Sequence, residues 1–400
     1  MGYKPPQIVL DKYADVLVNF ALNGCKGIKP GEVVFLQVPE CAKPLLISLR
    51  RSVLKSGAHA IIQYIPDRMQ REFFELANED QLKFFPRKYL KGKVNEADHT
   101  IVILAETDKR ELFGIEPAKI MAASKVFKEY WDWREDKETQ GKFTWTLGLY
   151  GTPAMAKEAG MSLEEYWKQI IKACFLDTPD PVAKWRSAVT EVERVKEKLN
   201  RLKIKTLRIK SSGTDLTVGI GPNRQFLGGS GQNIPSFEVF ISPDARKTEG
   251  YITFNQPLYR YGNLINGVKL EFKNGRVTSA TAREGEEILK EMIKVKNADK
   301  VGEFSLTDRR LSRITKFMAE TLFDENRGGR YGNTHIALGS AYKDSYPGDP
   351  SKVSRRRWAE MGYNDSVIHT DIVSTENRIV TAHLTNGEKK IIYKDGEFII

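Results

Sequence analysis

The chain has 400 residues, with 63 Lys+Arg against 52 Asp+Glu for a formal net charge of +11, and 40% of its residues are hydrophobic. That length exceeds what one hydrophobic core organises, so two or three domains are expected of an ordinary soluble globular composition. The basic residues are interleaved with acids, which argues against a nucleic-acid partner. No apolar run approaches the ~20 residues that span a bilayer, and Cys25, Cys41 and Cys174 stand too far apart for a zinc finger or a disulfide framework.

The first residues, MGYKPPQIVLDKYADVLVNF, lack the apolar core of a signal peptide, so a cytoplasmic protein is expected. In the same stretch Tyr13, Val16, Leu17 and Phe20 recur at helical spacing. EVVFLQV then reads as a buried strand, LLISLRRSVLKSG as a helix, AIIQYI as a strand, and TIVILAE as a strand after a long charged helical region. The alternation predicts an α/β N-terminal domain with a mainly parallel sheet covered on both faces. FTWTLGLY adds a strand, and MSLEEYWKQIIKACF a helix opened by Ser162 with Glu165 three residues on. No glycine-rich loop sits between a strand and a helix, so nucleotide binding is not indicated. A helix rich in Glu, Lys and Arg, from about 181 to 202, links the halves and closes the first domain at residues 1–202.

Beyond residue 203 the pattern changes. TLRIKSSGTDLTVGI, KLEFKNGRVTSATA and KKIIYKDGEFII are short strands joined by Ser-Gly, Asn-Gly and Asp-Gly, residues suited to hairpin turns with positive φ. Helices are expected near Glu286 to Lys296 and near Leu311 to Phe323. Residues 203–400 therefore read as an α+β C-terminal domain built on antiparallel sheet.

In this half SVIHTDIV, from Ser366 to Val373, is an apolar strand that puts His369 and Asp371 on one face. Glu249 precedes a strand in SPDARKTEGYITF, Glu303 follows Gly302 at a strand start, Glu325 ends the helix of TLFDEN, and His335 follows in GNTHIALG. Each alone reads as a solvated or structural side chain. Together they are four carboxylates and two imidazoles, a donor set for a pair of divalent cations. Two cations ~3.5–4 Å apart repel each other and need several negative ligands, while imidazoles favour Zn, Co or Mn over Ca. Water held between such cations loses a proton near neutral pH and attacks a polarised carbonyl.

At these residues the chain resembles the thermophilic aminopeptidase family, the dinuclear metallo-aminopeptidases of the aminopeptidase T and aminopeptidase S type. The resemblance runs through AMAKEAGMS, GTDLTVGI, NIPSFEVFISPDARKTEG, LFDEN, THIALGSAY and HTD, nearly the whole chain. It implies two divalent cations, Zn, Co, Mn or Mg, held by Glu249, Glu303, Glu325, His335, His369 and Asp371. It implies catalysis by a metal-bridging hydroxide on peptides with free N-termini. It also implies a homodimer whose N-terminal domains help enclose the active sites. The family places a tyrosine seven residues after the first histidine; here it is Tyr342, whose hydroxyl could stabilise the oxyanion. Glu303 or Glu325 could carry the proton to the leaving amine. Between Glu325 and His335 the chain has RGGRYGNT, longer than usual in the family, expected as a flexible loop at the edge of the site. Two other readings share the residues: another two-metal amidohydrolase, since the ligands define water activation but not the substrate, and a basic RNA-binding protein that has lost the chemistry.

Overall fold

The computed structural model describes residues 2–400, which fall into two compact units. One runs to Ala188 and takes in two short returns, Ser230–Ser236 and Met318–Leu322; the other comprises Val189–Gly229, Phe237–Phe317 and Phe323–Ile400. The division falls inside the helix Pro181–Arg201, which the sequence reading treated as the link between halves. No helix is long and apolar enough to cross a membrane.

In the first unit β1 (Val33–Pro39), β2 (His59–Ile65), β3 (His99–Leu104) and β4 (Thr144–Leu149) form a sheet in the order β2-β1-β3-β4, every pair parallel. The expected strands and their parallel pairing are thus present. Leu10, Tyr13, Val16 and Leu17 are buried on one side of the helix Gln7–Asn19, and Tyr13 Oη accepts the Leu149 N–H at 2.8 Å, tying that helix to the end of β4. Ser162 and Glu165 form a capping box at the start of the helix Leu163–Ala173. The long charged region between β2 and β3 is broken into Gln70–Leu76, Glu79–Leu82 and Arg87–Glu96. Asn78 caps the middle piece, and Pro86 precedes the last.

The second unit carries β5 (Ile204–Ser211), β6 (Thr214–Gly219), β7 (Glu238–Ile241), β8 (Thr248–Thr253), β9 (Leu258–Arg260), β10 (Asn263–Ile265), β11 (Lys269–Lys273), β12 (Arg276–Thr281), β13 (Val301–Thr307), β14 (Asn333–Gly339), β15 (His369–Ser374), β16 (Ile379–Leu384), β17 (Lys389–Lys394) and β18 (Glu397–Phe398). Eight of these make one sheet, β12-β11-β8-β6-β5-β16-β17-β18; four make a second, β15-β14-β13-β7; β9 and β10 pair alone. All the pairings are antiparallel. The Asn274-Gly275 and Asp395-Gly396 hairpin turns have φ of 52° and 75°, and 52° and 80°, as such turns require. The Ser212-Gly213 connection turns without a positive φ.

One expected helix is almost absent. Between Leu311 and Phe323 only Thr321–Asp324 opens a helical turn. Ala319 adopts a left-handed φ of 51°, and the backbone upstream is engaged elsewhere: the Ile314 carbonyl accepts the Gly328 N–H at 3.0 Å and the Ser312 hydroxyl donates to the Asn326 carbonyl. Tertiary hydrogen bonds win over the helical periodicity of that stretch.

Candidate metal centre

The four-stranded sheet builds the site through its alternation. In register, Phe240 faces Ser305, Ser305 faces His335, Glu303 and Asp371 both face Ala337, and His369 faces Gly339. Residues directly opposite on antiparallel strands share a face. Glu238, Glu303, His335, His369 and Asp371 therefore project from one side of the sheet, around the small residues Ser305, Ala337 and Gly339. The other side carries Val239, Ile241, Phe304, Leu306, Ile336, Leu338 and Ile372, none more than 2% exposed. Burying each such side chain contributes about 1.5–3 kcal/mol, which fixes the register and with it the polar face.

Two glycines allow the strands to come this close. A Cβ on Gly302 would lie 2.2 Å from the Ser340 carbonyl oxygen, and the β13–β14 register shifts there, between Val301 and Glu303. Such a bulge re-aims the side chain that follows it, here Glu303. Gly339, at φ 109°, would put a Cβ 1.9 Å from the Ile368 carbonyl oxygen, just before His369.

The donor atoms converge. His335 Nε2 lies 3.0 Å from Glu303 Oε1, 3.1 Å from Glu238 Oε2 and 3.9 Å from Asp371 Oδ1. His369 Nε2 lies 3.4 Å from Asp371 Oδ1 and 3.8 Å from Glu303 Oε2. Glu325 enters from the turn after Thr321–Asp324; its carbonyl accepts from Asn333 Nδ2 at 2.8 Å and from the Thr307 hydroxyl at 3.3 Å. Two triads, Glu238–Glu303–His335 and Glu325–His335–Asp371, each offer ligand atoms within 4.8 Å of one another and share His335. The Ser305 hydroxyl donates to Glu238 Oε2 at 2.9 Å. His369 Nδ1 stands 2.8 Å from the Ser340 carbonyl, which only accepts, so Nδ1 carries the proton and Nε2 is left for the cluster. The Tyr342 ring sits 4.9 Å from that of His369 and edge-on to Phe240.

Crowding of acids in a buried site shows in their protonation. Burial, reinforced by Glu238 and Asp371 and opposed by His335, pushes Glu303 up to about 7. Burial and the charges of Asp371 and Glu238 push Glu325 well above the usual carboxylate range. Burial disfavours a charged His369, yet Asp371 beside it raises it to about 9. Asp371, despite its own burial, is held down to about 2 by His369. Burial and then the surrounding carboxylates raise the Tyr342 phenol, keeping its hydroxyl a donor.

A profile of the thermophilic metalloprotease (M29) family matches residues 7–398. This chain belongs to that family. Its curated relatives include aminopeptidase PepS of Streptococcus thermophilus, 28% identical, and aminopeptidase T of Thermus thermophilus, 26% identical, each match covering 98% of both chains. Aminopeptidase 2 of Geobacillus stearothermophilus is 26% identical over 97% of each. Wild-type AmpT from Thermus thermophilus has the same fold, with a TM-score of 0.83 at 23% identity over 98% of this chain and 99% of that one.

A member of a metalloprotease family needs a place for a divalent cation, and this cluster fits one. Four carboxylates with two imidazoles are the hard and borderline donors that such cations take. His335 Nδ1 is buried without a hydrogen-bond partner, and burial with neighbouring acids pushes Glu303 and Glu325 above the usual carboxylate range, a strain that a bound cation would relieve.

Of the six ligands expected from the sequence, the structure brings together Glu303, Glu325, His335, His369 and Asp371. It does not bring Glu249. That residue lies exposed on β8, in the eight-stranded sheet, and its Oε1 accepts the Asn274 N–H at 2.6 Å at the β11–β12 turn. The sixth donor is Glu238, eleven residues earlier in the same quoted string. The signal for it was available: in PSFEVFI a carboxylate interrupts an apolar strand, as Asp371 does in SVIHTDIV. The long RGGRYGNT segment is also anchored rather than loose. Arg327 Nη1 donates to Gln256 Oε1 at 2.8 Å, and Asn333 Nδ2 donates to the Arg327 carbonyl at 2.8 Å.

Proposed function

We propose that this protein is an aminopeptidase that removes N-terminal residues from peptides. Glu238, Glu303, Glu325, His335, His369 and Asp371 would hold a pair of divalent cations, Zn, Co, Mn or Mg. The observation that carries the reading is the convergence of five of these donors on one face of a single sheet, with Glu325 closing the ring. The names of the relatives supply the substrate class. When bound, the cations polarise the scissile carbonyl and lower the pKa of the attacking water.

The chain's own groups then divide the remaining work. The Ser340 carbonyl orients His369, and the Ser305 hydroxyl orients Glu238. Tyr342 donates from its hydroxyl to the oxygen that gains negative charge as the carbonyl carbon becomes tetrahedral. Glu303 or Glu325 carries a proton to the leaving amine, through whichever carboxylate oxygen is left free of the cations. A cytoplasmic homodimer belongs to the same reading, and sedimentation at micromolar concentration tests the dimer.

The experiment is hydrolysis of Leu-p-nitroanilide before and after chelation. Activity should vanish on removal of metal and return with added Co or Zn, and a chelated protein that keeps its activity overturns the proposal.

A further inference from the structure

Strand register aims five of the six donors, but Glu325 comes from the turn after Thr321–Asp324, where no alternation of side chains directs it. Its main chain is held, since the Glu325 carbonyl accepts from Asn333 Nδ2 at 2.8 Å and from the Thr307 hydroxyl at 3.3 Å. Beyond a fixed backbone a glutamate side chain still has several torsions to settle. Aiming its carboxylate at one place calls for a partner at the far end.

The next residue supplies one. Asn326 is fully buried; its Oδ1 accepts the Phe237 N–H at 2.6 Å, and its Nδ2 lies 3.5 Å from Glu325 Oε1. The first contact decides the second. A backbone N–H only donates, so the amide oxygen faces Phe237 and the NH2 end is the one turned to the carboxylate. That second contact is long for a hydrogen bond, and an ionised acceptor strengthens it. The backbone of Asn326 is itself fixed: its N–H donates to the Phe323 carbonyl at 3.1 Å, and its carbonyl accepts from the Ser312 hydroxyl.

Phe237 immediately precedes Glu238, the first residue of β7. One side-chain amide therefore stands between the main chain beside one donor and the carboxylate of another, and the two donors fall in different triads, Glu238–Glu303–His335 and Glu325–His335–Asp371.

We infer that Asn326 is a positioning residue that aims the Glu325 carboxylate into the cluster, with the Phe237 N–H as its fixed point. The inference rests on the proposed function for what the carboxylate is aimed at. The plainer role of a buried Asn is to satisfy the Phe237 N–H and nothing more. That role predicts a loss of stability whose effect on metal does not depend on Glu325.

The test is a double-mutant cycle in the full-length protein, with Asn326→Ala, Glu325→Gln and the two together. Affinity for the more weakly held Co ion is read by chelator competition, the visible absorption of bound Co reports its ligand geometry, and Tm of the chelated proteins reports folding. Asn326→Ala should lower that affinity about 10–100-fold, as loss of a ligand's support does, and should shift the Co spectrum. In the Glu325→Gln background the same change should cost less than about twofold further, because its route to the metal is already gone. Wild-type affinity in Asn326→Ala, or an equal loss with Glu325 intact and replaced, would overturn the inference. Should Asn326→Ala fail to fold, Asn326→Asp takes its place in the cycle: it keeps an oxygen for the Phe237 N–H, removes the donor, and should show the same dependence on Glu325. A coupled cycle in a protein that binds Co and cleaves no peptide would sink the aminopeptidase reading and leave the role of Asn326 standing; additive losses in an active aminopeptidase would do the reverse.

Discussion

His369 and Asp371 are two residues apart on an edge strand, and their side chains meet with Nε2 3.4 Å from Oδ1 on the face that also carries His335 and Glu303. A structural pair would need nothing further. Here His369 Nε2 also lies 3.8 Å from Glu303 Oε2, and Asp371 groups with His335 and Glu325, which a simple His–Asp contact does not call for.

The first prediction is that replacing either residue with Ala removes metal and hydrolysis together. His369→Ala and Asp371→Ala should each lower metal affinity by about tenfold or more, since loss of a residue that merely supports a ligand already costs about 10–100-fold. Far-ultraviolet circular dichroism should change little, because Ile372 and Thr370 on the opposite face still hold β15 in register. Full activity in His369→Ala would end the ligand assignment.

Glu238 and Glu249 make a matched comparison. Glu238→Gln should lose metal and activity, whereas Glu249→Gln should keep both and cost well under about 1 kcal/mol in stability, as expected of an exposed side chain. Metal analysis of the two purified variants decides it, and the reverse pattern would restore Glu249 to the site.

Tyr342→Phe deletes one hydroxyl beside His369. It should cost about 2–4 kcal/mol of transition-state stabilisation, seen mostly in kcat. A change confined to KM would mean that the ring positions substrate and the hydroxyl does no more.

The protonation of the metal-free cluster gives a signed pH dependence. Glu303 is raised to about 7 from an unfolded value of ~4.3, so the folded state holds an extra proton in that range and stability falls as pH rises through it. His369 is raised to about 9 from ~6.5; its stabilisation is complete below ~6.5 and lost as pH climbs through about 9. Both act in the same direction. Chelated protein should therefore lose Tm steadily from about pH 5 to 9, and Co-loaded or Zn-loaded protein much less. A flat Tm for the chelated protein over that window would contradict the surplus of buried acid.

The parallel sheet of the first unit was legible because its strands are continuous apolar runs separated by helical periods, as in EVVFLQV and TIVILAE. The Asn-Gly and Asp-Gly hairpins were legible because those pairs suit left-handed φ. The stretch from Leu311 to Phe323 was not, since its helical spacing is overruled by contacts from Asn326 and Gly328 that lie beyond any local window. In the site, His369 and Asp371 could be read from period two within one strand. Glu249 was misplaced because a carboxylate before a strand looks the same in sequence whether it caps a turn or faces a metal, and only strand order separates β8 from β7.

The most direct measurement of the central claim is mass spectrometry of matched unblocked and N-acetylated leucyl peptides incubated with the metal-loaded protein. Acetylation removes the free amine that fixes the scissile carbonyl one residue from the N-terminus. The account predicts stepwise release of single N-terminal residues from the unblocked peptides and survival of the acetylated ones. Cleavage of the acetylated peptides at internal bonds, at rates comparable to the unblocked ones, would contradict it.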